Sequence, residues 1–301
     1  MRRRPAYLDL HERGELAARA ERLRRMLADC RLCGRRCGVD RREGPGRAFC
    51  RTGPVARVAS HGPHHGEEPP ISGFFGSGTI FFSRCNMACV YCQNFEISQL
   101  DEGRDVTADE LAGMMLELQA RGCHNVNLVT PTHVAPMIVD ALVLAAERGL
   151  ELPLAWNSGG YDSLDLLRLL DGVVDIYMPD FKYAEERYAL AFSAAPRYPR
   201  VALAAIREMH RQVGPLEVDA HGIAVRGVLV RHLVLPGGVA GTAEVARLLA
   251  GAIGPDVVLN VMDQYHPAWR AARRPPLDRR PTPRELAEAR AAAARHVRLL
   301  A

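Results

Sequence analysis

The sequence predicts an α/β protein: six βα units bent into a partial (β/α)6 TIM-like barrel, with a small N-terminal cysteine-rich extension. Three observations predict it. From Thr79 onward short β-rich runs alternate with helical ones, which is the mark of a parallel sheet. The ends of those runs are rich in polar side chains, as expected where such barrels place their chemistry. With 301 residues, 48% of them hydrophobic, the chain can bury a core of that size.

The elements follow in chain order. Leu16, Ala17, Ala20, Leu23, Met26 and Leu27 recur at the spacing of one helical face, predicting a helix over Gly14 to Asp29. It runs into Cys30, Cys33 and Cys37, with Cys50 after the turn Gly44-Pro45-Gly46. Predicted strands are Thr79 to Ser83, Asn125 to Thr130, Pro153 to Asn157, Val174 to Met178, Gly227 to Leu235 and Val257 to Val261. A capping box at Thr107 and Glu110 opens a helix through Leu111, Met114, Met115 and Leu118. Further helices are predicted over Val134 to Arg148, with Gly149 as its stop, Ser163 to Leu170, Pro199 to Gln212 and Thr242 to Ala252. A last one opens at Thr282-Pro283-Arg284-Glu285, with proline in the first turn. Six units close only part of the way round if the strands tilt as in an eight-stranded barrel. The expected division is 1–70 for helix and knuckle, 71–270 for the barrel and 271–301 for a helical tail. The stretch His61 to Pro69 is read as an exposed linker, with shaping of a substrate entrance as the alternative.

The apolar run Met137 to Ala146 is too short to span a bilayer, so no membrane partner is expected. A formal charge of +4, with arginines clustered before residue 60 and over Arg270 to Arg280, reads as a solvated basic surface. No aromatic-interleaved stripe accompanies it, so nucleic acid is not expected. Met1-Arg2-Arg3-Arg4 lacks the apolar stretch of an export signal, and the expected location is cytoplasmic, with reduced thiols. Seven of the eight cysteines fall in the first 92 residues, which asks for metal or redox chemistry. Cys123, just before the second predicted strand, reads as a small buried apolar residue.

Cys85, Cys89 and Cys92 are spaced C-x3-C-x2-C on one loop after the first predicted strand. Three thiolates can hold three corners of a 4Fe-4S cube and leave the fourth iron free to bind something else. Zinc fits poorly, since its structural sites take four protein ligands and its catalytic sites seldom use three thiolates. The set Cys30, Cys33, Cys37 and Cys50 supplies four ligands, which suits a structural zinc or a second iron–sulfur cluster. Spacing does not choose between them, and the basic surroundings favour a structural metal.

The predicted mouth gathers Thr130 to His133, Asn157 to Gly160, Asp180, Lys182, Arg231, His232, Pro236 to Gly238, Asn260 and Asp263 to His266. Taken singly, each has an ordinary explanation as a turn residue, ion pair or satisfied histidine. Together, beside a three-cysteine loop, they suit a zwitterionic, ribose-bearing cofactor.

The loop, with Tyr91 before its last cysteine, resembles the signature of radical S-adenosylmethionine (SAM) enzymes, and residues 78–266 resemble the activating enzyme of pyruvate formate-lyase. The resemblance implies a 4Fe-4S cluster on Cys85, Cys89 and Cys92, and SAM across the mouth. It implies an aromatic at Tyr91 near the adenine, the third-strand motif at Asn157, the Asp-x-Lys motif at Asp180 and Lys182, the arginine strand at Arg231, and a cofactor-facing histidine at His266. It also implies an electron donor such as flavodoxin or ferredoxin. One departure stands out: the family has Gly-Gly-Glu after the second strand, where this chain reads Thr130-Pro131-Thr132. A hydroxyl or a carbonyl then replaces the carboxylate that faces the methionine ammonium.

Three functions compete. The first is reductive cleavage of SAM to a 5′-deoxyadenosyl radical that activates a glycyl radical enzyme. The second keeps that chemistry but acts on a small molecule or another protein modification, which the four-cysteine extension favours slightly. The third is an electron carrier or metal-stabilised binding module with no SAM chemistry.

Overall fold

The computed structural model describes residues 3–300. Among these, ten strands form one sheet: β1 (Ala56–His64), β2 (Ser77–Phe82), β3 (Arg104–Val106), β4 (Val126–Val129), β5 (Leu154–Ser158), β6 (Ile176–Pro179), β7 (Glu217–Val218), β8 (Ala224–Leu233), β9 (Val258–Met262) and β10 (Arg298–Leu299). The order is β10-β9-β8-β6-β5-β4-β2-β1-β3, with β7 paired to β8. The six predicted strands correspond to β2, β4, β5, β6, β8 and β9, and each pairs in parallel with its neighbour in that series. The two ends of the series do not meet, so the barrel is open.

Parallel strands covered on both faces read as continuous apolar runs. Every residue of β5 and β6 is buried. Helices Ala108–Ala120, Ala135–Glu147, Leu164–Leu170, Tyr198–Val213 and Thr242–Ile253 lie within a turn of their predicted bounds. The Thr107 hydroxyl accepts the Glu110 N–H at 3.1 Å while Glu110 accepts the Thr107 N–H at 2.8 Å. Such a cap is worth about 1 kcal/mol. The predicted first helix forms as Glu15–Arg25 followed by a tighter turn at Met26–Asp29, and buries Leu16, Ala20, Leu23 and Leu27. Cys123 is fully buried.

The stretch read as a linker behaves otherwise. His61 to His64 belong to β1, which runs antiparallel to β2 and closes one edge of the sheet together with β3. Beyond it the chain turns inward and buries Glu67 and Glu68 against the barrel interior, with side chains 9% and 3% exposed. A carboxylate pair is buried only where cations meet it, and the cation here is Arg231 on β8. Among the described residues no helix is long and apolar enough to cross a membrane.

Candidate active site

The cysteine loop follows β2 and is held from several sides. Arg84 adopts a left-handed φ of 69° and forks onto Asp101 at 2.6 and 3.1 Å, which turns the chain out of the strand. Ala88 N–H and Val90 N–H donate to the Ser193 and Phe192 carbonyls at 3.0 and 2.8 Å. Those carbonyls end the helix Glu186–Ser193, which stops because Ala194 is left-handed at φ 49°. The Val90 carbonyl in turn accepts from Arg270 N–H at 2.8 Å.

Each sulfur has a polar neighbour. Met87 N–H donates to Cys85 Sγ at 3.3 Å, Ser193 Oγ–H donates to Cys89 Sγ at 3.0 Å, and the Ser98 hydroxyl lies 3.2 Å from Cys92 Sγ. Burial pushes the Cys85 and Cys89 thiols up, and Lys182 pulls both the other way. Three half-buried sulfurs with hydrogen-bond donors and a nearby ammonium suit an anionic, sulfur-ligated cluster. The three cysteines line one cavity with Tyr91, Thr130, Asn157, Asp180, Lys182 and Arg231, at the C-terminal ends of the strands. A larger cavity of about 900 Å³ opens near Phe74, Phe75 and His124 and contains none of these groups.

Inside the shared cavity the charged groups form one network. Lys182 Nζ donates to Asp180 Oδ2 at 2.5 Å, and Arg231 Nε to Asp180 Oδ1 at 3.0 Å. Arg231 Nη2 reaches Asn157 Oδ1 at 2.5 Å, and Nη1 reaches Glu67 Oε2 at 3.2 Å. Asn157 Nδ2 closes the ring on Glu67 Oε1 at 3.2 Å. Burial would raise the Asp180 carboxyl, but Arg231 and Lys182 outweigh it and hold it below its usual range. Burial dominates at Glu67, whose carboxyl is pushed up despite Arg231, with Glu68 adding to the rise. Glu68 Oε1 accepts from Asn260 at 3.0 Å, while its buried Oε2 has no hydrogen-bond partner. Of the three carboxylates, Asp180 lines the cavity while Glu67 and Glu68 lie behind Arg231.

The structure brings Tyr91, Asn157, Asp180, Lys182 and Arg231 together with the cysteines. It leaves His266 apart: the ring is exposed on the rim, its Nδ1 3.3 Å from Gln93 Nε2, and does not line the cavity. Tyr91 is buried, its hydroxyl accepting from Tyr183 at 2.7 Å and its ring edge-on to Tyr183 and Tyr265. Gly160 follows Asn157 closely because a Cβ there would run into the Asp180 carbonyl, and its φ of 71° suits glycine.

At the departing Thr130-Pro131-Thr132 the two threonines part company. Thr132 is buried and donates to Asp162 Oδ1 at 2.8 Å, beside Trp156 Nε1 and Ser158 Oγ. Thr130 lines the cavity in a left-handed conformation, φ 61°, which a β-branched residue rarely adopts. Glu67 and Glu68, buried behind Arg231 and outside the cavity lining, were read in the sequence only as part of a linker or a substrate entrance. Their only advance signal was an acidic pair beside a proline.

The radical SAM superfamily model matches residues 79–249, more than half of the chain. The chain belongs to the radical SAM superfamily and is an enzyme of that class, whose members use a 4Fe-4S cluster and SAM. An uncharacterized protein of Methanocaldococcus jannaschii is 29% identical over 295 residues, covering 95% of this chain and 78% of that protein. A solved structure of native anSMEcpe with bound AdoMet aligns over 59% of this chain and about half of its own, 49%, at 9% identity and a TM-score of 0.42. That likeness is too weak to carry an argument.

Proposed function

We propose that Cys85, Cys89 and Cys92 hold the 4Fe-4S cluster, and that Tyr91, Asn157, Asp180, Lys182 and Arg231 hold SAM across the mouth. One observation carries this reading: the three cysteines and the Asp180–Arg231 network line a single cavity. The bound groups supply a one-electron cleavage of the sulfonium and a 5′-deoxyadenosyl radical, which takes a hydrogen atom from a substrate. The chain's own part is binding, orientation and shielding. Lys182 and Arg231 offer cations to the methionine carboxylate, and Asp180 fixes both of them. Thr130 lines the cavity and offers its hydroxyl or carbonyl to the ammonium end. A low-potential donor such as flavodoxin or ferredoxin supplies the electron.

Activation of a glycyl radical enzyme is the substrate reading that the sequence resemblance carries. A smaller substrate, or another protein modification, is the second reading, which the four-cysteine extension favours slightly; its Cys33 pairs with Asp162 just past β5. The test is formation of 5′-deoxyadenosine from SAM by anaerobically reconstituted protein under a strong reductant. Product from the wild type and none from Cys89→Ala is expected; equal product from both removes Cys89 from the cluster.

A further inference from the structure

The four cysteines outside the barrel surround a charge that has no ordinary partner. Arg41 is fully buried. Its guanidinium donates to three carbonyls, those of Thr52 at 2.6 Å, His133 at 2.7 Å and Gly53 at 3.3 Å, and to Cys30 Sγ at 3.3 Å. Among the described residues no carboxylate lies within ion-pair distance of it. Arg35, on the other side of the knuckle, is likewise without a carboxylate: it donates to the Asn86 carbonyl at 2.7 Å and the Ala194 carbonyl at 2.6 Å, and lies 3.2 Å over the Phe49 ring. Buried cations are retained where a counter-charge meets them. Here the counter-charge on offer is sulfur.

Two kinds of anionic sulfur centre could supply it, a zinc ion or an iron–sulfur cluster, and both accept four thiolates.

Position bears on the choice. Gly34 N–H, between the knuckle's cysteines, donates to the Tyr161 carbonyl at 3.1 Å, and Asn86 Nδ2 donates to the same oxygen at 3.3 Å. Asn86 directly follows Cys85. The knuckle thus packs against the radical loop itself, where a redox centre gains something that a purely structural ion does not.

We propose that Cys30, Cys33, Cys37 and Cys50 hold a second iron–sulfur cluster, fully ligated by protein, with Arg41 and Arg35 as its charge partners. With four thiolates this cluster has no open iron, so SAM does not bind to it. The sequence alone had leaned towards a structural metal because no electron path was in view. Arg35, bonded to the residue after Cys85, brings the two cysteine sets together.

The test compares three full-length proteins reconstituted anaerobically with iron and sulfide: wild type, Cys85→Ser/Cys89→Ser/Cys92→Ser, and Cys30→Ser/Cys33→Ser. Wild type is expected to carry about twofold more iron and acid-labile sulfide than either variant. The loop variant, once reduced, is expected to keep an electron paramagnetic resonance signal that SAM leaves unchanged. A loop variant without labile sulfide that instead binds one equivalent of zinc overturns the proposal. So does a loop-variant signal that shifts on adding SAM. Should the knuckle variant fail to fold, the loop variant still decides, because its mutated residues lie outside the knuckle.

Discussion

The cluster loop and the N-terminal knuckle are made from the same side chain, and differ in what the sulfurs face. In the loop three cysteines look into a cavity shared with Asp180, Lys182 and Arg231. In the knuckle four cysteines fold against one another, Cys30 and Cys50 buried, with arginines as their neighbours. Burial raises the thiols in both regions, but the opposing groups differ. Burial raises Cys33 to about 12, with Cys50 and Cys30 adding to the rise and Arg35 opposing it. At Cys89 burial is opposed chiefly by Lys182. The difference is in surroundings: the loop's three cysteines share a cavity with a fixed charge network, whereas the knuckle's four lie among arginines.

The largest way to break the comparison lies at Arg231, which ties the floor of the reactive cavity together. Arg231→Leu leaves Glu67, Glu68 and Asp180 without their shared cation, and an uncompensated buried charge costs about 3–5 kcal/mol. Chemical denaturation should register that loss, and SAM binding should vanish with it. A variant of wild-type stability would mean that water already reaches these carboxylates.

Glu67→Gln is milder. It keeps a partner for Asn157 but weakens the pull on Arg231, and the affinity for SAM should fall about tenfold, as expected for one charged hydrogen bond. Calorimetric titration of the reconstituted protein measures it. Unchanged affinity would assign Glu67 to packing alone.

His133 sits at the seam of the two regions. Its Nε2–H donates to the Ser83 carbonyl at 2.9 Å, just ahead of the loop, while its own carbonyl accepts from Arg41. Burial holds its pKa down at about 3, against an ordinary 6.5. The native state therefore stays neutral while the unfolded chain takes up the proton below about pH 6.5, so stability is full above that pH and lost on acidification. Its own contribution to the slope is about 1.4 kcal/mol per pH unit between pH 6 and 4, to which the depressed His232 adds and the raised Asp140 and Asp175 carboxyls run opposite. His133→Gln should change the slope by about that amount in denaturation curves taken at several pH values; an identical slope in the variant would move the effect elsewhere.

Ser193→Ala is the smallest test. It removes one donor from Cys89 Sγ, a net hydrogen bond of about 1 kcal/mol, and should lower the loop cluster's one-electron potential by about 40 mV. A redox titration followed by spectroscopy reads the shift, and no shift would mean the hydroxyl does not touch the cluster's charge.

The parallel strands were legible because Val126 to Val129, Leu154 to Ser158 and Ile176 to Pro179 are almost wholly buried and mostly apolar, with Asn127, Asn157 and Ser158 as the polar exceptions. The antiparallel edge was not: β1 ends in His61-Gly62-Pro63-His64, which has no strand pattern. β7 and β10 have two residues each, too few for any periodicity. In the site, Asp180, Lys182 and Arg231 could be found because they stand at strand ends. Glu67 could not, since its burial depends on Arg231, 164 residues further along the chain. His266, just past β9, lies exposed on the rim beside Gln93, and its place after a strand said nothing of which way the ring turns.

The most direct measurement is the electron paramagnetic resonance spectrum of the reduced, reconstituted protein before and after SAM is added. An open iron on the Cys85, Cys89 and Cys92 cluster predicts a SAM-dependent change of the spectrum that is absent from Cys89→Ala. An intact, reduced loop cluster whose spectrum ignores SAM would contradict the account.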